Sequence, residues 1–131
     1  MDAARLEGVD LFRALSKPEL HQLAQWTDEI DVPAGKVLGR EGEFAYEFFV
    51  IEEGTAEVDI GGEKVTTLGP GEWFGEIGLI ASERRTGTVT AKTPMRLIVM
   101  FGPNFREMAR SMPAVASTIE AEIRERLERA S

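Results

Sequence analysis

The sequence predicts a mainly β domain, a sandwich or barrel-like roll of short strands with helices at both ends. Three observations carry that reading. Residues 30–101 hold short runs rich in Val, Ile, Phe and Thr, broken by Pro33, Gly35, Gly39, Gly42, Gly54, Gly61, Gly62, Gly69, Pro70 and Gly71, which is the punctuation of strands and turns. These runs recur at intervals of about eight to twelve residues, the rhythm of closed or stacked all-β folds. On either side of this stretch the apolar residues return at helical spacing.

The N-terminal helix is signalled by Ser16, Lys17, Pro18 and Glu19, a serine cap with an early proline and a glutamate three residues on. Leu20, Leu23 and Ala24 supply its apolar stripe. His21 lies in the same segment with no histidine or carboxylate grouping around it, and it is given no role. Residues 48–52 and 56–60 flank Glu53, Gly54 and Thr55 as a tight hairpin, and residues 63–68 follow across the turn at Gly61 and Gly62. Residues 96–101 close the β region. After Gly102, Phe105, Met108 and Ala109 form a short helical stripe, Met112 and Pro113 mark a break, and Val115, Ile119, Ile123 and Leu127 recur every four residues. Glu120 with Arg124, Glu122 with Arg126 and Glu125 with Arg129 are favourable pairs along that last helix. Its stripe is narrow, so it is expected to lie on a neighbouring surface.

A chain of 131 residues with 43% hydrophobic residues can bury one core. The expected organisation is a single domain over 1–131: a helical segment at 1–28, the β region at 29–101 and helices at 102–129. The absence of cysteine excludes disulfides, thiolate nucleophiles and cysteine-ligated metal centres. The N-terminus lacks the flank and apolar run of a signal peptide, and no stretch reaches the roughly 18 apolar residues of a membrane span. The chain is expected to be cytoplasmic, with no membrane partner. A formal net charge of -8 opposes a polyanion over the whole surface, so nucleic acid is not expected as a direct partner. Any site for a small anion must be made by strong local donors.

One segment has such donors, running Phe74, Gly75, Glu76, Ile77, Gly78, Leu79, Ile80, Ala81, Ser82, Glu83, Arg84, Arg85, Thr86, Gly87, Thr88, Val89, Thr90, Ala91. Gly75 and Gly78 allow close backbone approach, and a short turn over 76–80 can present free N–H groups as the start of a helix does. Arg85 can return across this turn, and its planar fork suits phosphate oxygens. A carboxylate at the same place, Glu76, makes sense if the ligand also carries hydroxyls. Sugar and phosphate on one small molecule mean a nucleotide. A plain ion pair between Glu76 and Arg85 over a glycine-rich turn is the alternative that the residues alone leave open.

Here the sequence resembles the cyclic nucleotide-binding domains. Residues 74–79 and 85–91 match the family's phosphate-binding cassette almost position by position. Residues 12–23 resemble its N-terminal helix, 32–42 its first strands with their PAG and EG turns, and 48–58 its strand–glycine–strand unit. The resemblance implies a β-roll of the double-stranded β-helix or jelly-roll type, with a cassette at 74–91. It further implies that Glu76 binds the ribose 2′-hydroxyl and Arg85 the cyclic phosphate, while Gly75, Ile77, Gly78 and Thr86 complete the cradle. Phe74 and Leu79 serve as packing. Ile123, Arg124 and Leu127 are candidates for a lid over the base. Thr86 follows the arginine as it does in domains accepting cGMP and in others answering to cAMP; cAMP is the expected ligand, with cGMP as the second.

Arg84 matches no required position and is read as an exposed charge. Gly87 stands where the family usually has alanine and is expected to loosen the following strand. Glu43, Phe44, Ala45 and Tyr46 replace a turn that commonly carries aspartates, at a place expected to lie away from the pocket.

The resulting expectation is a ligand-gated regulatory module, with no cofactor and no metal, that couples binding to movement of the C-terminal helix and acts on an effector the sequence does not name. Homodimerisation is compatible with it. The alternative is a non-binding scaffold of the same fold used for protein contacts. A metalloenzyme on a similar roll needs several histidines, and His21 stands alone in a helix. No nucleophile–base pair accompanies Glu76 and Arg85, so an enzyme is not expected.

Overall fold

The computed structural model describes residues 1–75 and 84–130, and the side chains of these except 123 and 126–130. The elements in chain order are α1 (Ala3–Glu7), a 3-10 turn (Asp10–Phe12), α2 (Lys17–Gln25), β1 (Thr27–Val32), β2 (Val37–Gly39), β3 (Glu47–Glu53), β4 (Ala56–Ile60), β5 (Glu63–Leu68), β6 (Trp73–Phe74), β7 (Thr88–Ala91), β8 (Met95–Phe101), α3 (Gly102–Ser111) and α4 (Pro113–Ala130). The fold is the mainly β architecture with flanking helices that the sequence implies.

Ser16 and Glu19 close the expected capping box at the start of α2, with Pro18 in the first turn. The serine oxygen accepts from the Glu19 N–H and the glutamate carboxylate accepts from the Ser16 N–H. Each satisfies a donor that the helix end leaves unpaired. The break at Met112 and Pro113 is also present, since α3 ends at Ser111 and α4 begins at Pro113. The β region starts slightly earlier than expected, at Thr27.

The strands form two four-stranded sheets, one ordered β1-β8-β3-β6 and the other β2-β7-β4-β5, with all pairs antiparallel. This order overturns the hairpin expected across Gly54. β3 and β4 belong to different sheets, and Gly54 is the corner at which the chain leaves one for the other. Its φ of 91°, and a position where a Cβ would sit 2.4 Å from the Pro94 carbonyl oxygen, demand glycine. The same local signature, two apolar runs around a glycine, serves either a hairpin or a corner, and long-range pairing with β8 selects the corner. The hairpin across Gly61 and Gly62 does form, pairing Ile60 with Glu63 and Ala56 with Leu68.

Two cores follow from alternation along β3 and β8. Phe49, Ile51, Leu97 and Val99 point between the sheets and meet Ala56, Leu68, Val89 and Ala91. Phe48, Val50, Ile98 and Met100 point outward and are covered by Leu6, Phe12, Leu23, Phe105, Met108, Val115 and Ile119. Burial on both faces explains the unbroken apolar runs 48–51 and 97–100. The helices thus cover one sheet and leave the turns around Gly39, Gly75 and Arg85 to form a corner elsewhere.

Candidate functional site

The corner is built around Arg85, which stands just before β7 and is only 9% exposed. Its main chain is pinned to the loop between β2 and β3: the Arg85 N–H donates to the Glu43 carbonyl (2.8 Å) and the Gly42 N–H donates to the Arg85 carbonyl (2.9 Å). Its side chain then reaches the start of β3, where Nη2 donates to the Glu47 carbonyl oxygen at 2.8 Å. The Phe49 ring centroid lies 6.0 Å from Cζ.

Two glycines make room for this guanidinium. A Cβ on Gly75, whose φ is 98°, would fall 2.6 Å from Arg85 Nη1 and 2.7 Å from the Glu47 carbonyl oxygen. A Cβ on Gly39 would lie 3.1 Å from Arg85 Nε. Arg85 is therefore turned toward the glycine at the head of the cassette. A guanidinium so withdrawn from water is costly unless its donors are met, and the same withdrawal strengthens its attraction for an anion.

Thr86 is exposed, beside Arg85 in sequence. Glu76, Ile77 and Gly78 lie outside the described residues, as do the side chains of Ile123 and Leu127; Arg124 is exposed on α4. Gly75 and Arg85 are thus the predicted site residues that the structure brings together. Phe74 is buried between the sheets and stacks on Phe49 at 4.9 Å, as a packing residue should.

Two expectations at this corner are corrected. The turn at 43–46 does not lie away from Arg85, because the Glu43 carbonyl accepts from its N–H. Gly87 does not loosen its surroundings: a Cβ there would come within 2.9 Å of the Asp59 carbonyl oxygen, so its absence lets the chain close on β4. Arg84 is exposed, as expected, and the structure adds that its guanidinium lies over the Phe44 ring, 4.2 Å from the centroid, with Nη1 donating to the Gly42 carbonyl at 2.8 Å. Sequence reading also missed the Glu47 carbonyl and the close approach at Gly39. A main-chain acceptor has no side-chain signature, and Gly39 looks like one more turn glycine.

Among the described residues no group of three or more His, Asp or Glu side chains could hold a metal ion, and no helix is long and apolar enough to cross a membrane. What the corner offers is a buried cation beside closely approaching backbone. That arrangement suits a small anion.

Two antiparallel sheets closed over a shared core, with helices from both ends of the chain on one face, form a β-roll of the catabolite-activator type. The chain belongs to the cyclic nucleotide-binding domain family, whose sequence model matches residues 29–112, well over half its length. It is 35% identical over 118 residues to a cyclic nucleotide-gated potassium channel of Rhizobium etli, covering 90% of this chain and 33% of the channel. It is also 35% identical over 104 residues to a cAMP-dependent protein kinase regulatory subunit of Schizosaccharomyces pombe, covering 79% of this chain and 25% of that subunit. The catabolite activator protein of Thermus thermophilus superposes with a TM-score of 0.79 at 26% identity, over 92% of this chain and 59% of that one. The chain thus spans a quarter to a third of the curated relatives named here.

Proposed function

We propose that the domain binds a cyclic nucleotide, cAMP in the first instance and cGMP as the second ligand, and serves as a regulatory module without chemistry of its own. The observation that carries this reading is the Arg85 guanidinium, buried in an acidic chain and turned onto Gly75. Arg85 would meet the cyclic phosphate, Gly75, Ile77, Gly78 and Thr86 would line it, and Glu76 would take the ribose hydroxyl. The relatives, a cyclic nucleotide-gated channel and a cAMP-dependent kinase regulatory subunit, support the ligand class.

Binding would be passed to the C-terminal helices. Val115 and Ile119 seat α4 on the 3-10 turn and α3, and the break at Met112 gives it a place to pivot. Ile123, Arg124 and Leu127 would then close over the base, and an effector elsewhere in the assembly would read the new helix position.

Calorimetric titration with cAMP and with cGMP tests the first part. Arg85→Ala is expected to lose about 2 to 5 kcal/mol of affinity, the scale for truncating one partner of a buried charge pair. Failure of the wild-type chain to bind either nucleotide would leave only the non-binding scaffold. Amide shifts confined to residues 74–91 on binding, with none in 113–129, would remove the switching part.

A further inference from the structure

Arg84 and Phe44 form a clasp one residue from the buried arginine. The Arg84 guanidinium covers the exposed Phe44 ring at 4.2 Å and donates to the Gly42 carbonyl. An isolated antiparallel bridge joins the main chains of Phe44 and Arg84. Phe44 is 52% exposed, so its ring fills no core, and besides Arg84 it meets the ring of Tyr46, whose centroid lies 6.5 Å away in a tilted arrangement. The clasp brackets the two main-chain bonds, Arg85 N–H to Glu43 and Gly42 N–H to Arg85, that fix where the Arg85 side chain departs. From the same loop the chain enters β3 at Glu47, whose carbonyl holds Arg85 Nη2.

We infer that Arg84 and Phe44 are positioning residues for Arg85: the cation–π clasp locks the loop at 40–46 onto the end of the cassette, and so sets the direction of the phosphate-binding guanidinium. The loop between β2 and β3 is thereby a determinant of ligand affinity although its side chains need not touch the ligand. A guanidinium held over a ring and tied to a carbonyl is restricted in orientation, which a solvated charge is not. Because the clasp is exposed and Arg85 is buried, loosening it costs little global stability but frees the guanidinium that would meet the anion. This inference rests on the cyclic nucleotide reading of the Arg85 corner.

The test compares Phe44→Leu, Arg84→Gln, the double variant and Phe44→Tyr, which keeps the ring. Cyclic nucleotide affinity by calorimetry, melting temperature, the Arg85 Nε–H resonance and amide exchange at Gly42 and Arg85 are read for each. Phe44→Leu and Arg84→Gln are expected each to weaken cAMP binding roughly two- to fivefold, the range of one exposed cation–π contact. Melting temperatures should stay close to wild type, and the Arg85 Nε–H signal of the free protein should shift. The double variant should fall short of the product of the two single losses, because both remove one contact, and Phe44→Tyr should restore affinity. Unchanged affinity in both single variants, losses that multiply, or losses that track a large fall in melting temperature would each overturn the clasp. If the wild-type chain binds neither nucleotide, the functional reading fails by itself. The clasp then stands if Phe44→Leu shifts the Arg85 Nε–H signal and speeds exchange at Gly42 and Arg85, and falls if neither changes.

Discussion

The backbone of Gly75 lies so close to the Arg85 guanidinium that a methyl group on residue 75 would come within 2.6 Å of Nη1. A left-handed glycine is ordinary and a buried cation is not, and their contact makes one depend on the other.

Gly75→Ala is therefore expected to act twice. Backbone strain at a φ of 98° costs on the order of 1 to 3 kcal/mol of stability, and the new methyl group must displace Arg85 or the Glu47 carbonyl. Cyclic nucleotide binding should fall as far as it does in Arg85→Ala. A Gly75→Ala protein that titrates like wild type would show that the contact is immaterial.

Gly54 offers a contrast, because its constraint belongs to the fold. An added Cβ would approach the Pro94 carbonyl oxygen to 2.4 Å, Met95 Cγ to 2.8 Å and Thr93 Oγ1 to 2.9 Å at a φ of 91°. Gly54→Ala is expected to destabilise by at least about 2 kcal/mol in urea unfolding, while the folded fraction keeps its ligand affinity.

Phe105 anchors the C-terminal helices to the outer face of the first sheet. It is fully buried, with its ring 4.8 Å from that of Phe48. Phe105→Ala should cost about 3 to 5 kcal/mol. If the measured loss is under about 1 kcal/mol, the helices are not seated by this contact.

Near the N-terminus Arg5 binds two carboxylates, Glu29 at 2.6 Å and Glu52 at 3.0 Å. Burial and then the neighbouring Glu29 push the Glu52 carboxyl above the usual glutamate range, against the pull of Arg5. The folded state therefore holds a proton on Glu52 more tightly than the unfolded chain does, and stability falls as pH rises from the ordinary glutamate value through the raised one. Glu57 and Glu107 work the other way: hydrogen bonds, from Lys92 to Glu57 and from Arg110 and Ser111 to Glu107, hold their carboxyls low, so their contribution is lost as pH falls through those values. Subtracting the melting curves of Glu52→Gln from those of wild type between about pH 3 and 7 isolates the first effect. The difference should show wild type losing relative stability toward neutral pH; a flat difference would mean that the Glu29–Glu52 pair carries no strain.

Much of this was legible in particular residues. Ser16, Pro18 and Glu19 announce α2 because a cap works through atoms three residues apart. Met112 and Pro113 announce the break before α4 because proline cannot continue a helix. Phe74, Gly75 and Arg85 stand out as a cassette through their match to the family's pattern. The Gly54 corner was misread, since a corner and a hairpin share the same local residues, and their difference lies in which distant strand each run pairs with.

Residue order carries the helix caps, the strand rhythm, the family and the identity of the arginine, because each depends on side-chain chemistry at short range. The direction of that arginine, the Glu47 carbonyl that holds it and the Phe44–Arg84 clasp beside it exist only once β3, the loop before it and the cassette meet. Main-chain acceptors and close approaches between distant segments leave no mark on any single stretch of chain, and they come from packing two sheets into one roll.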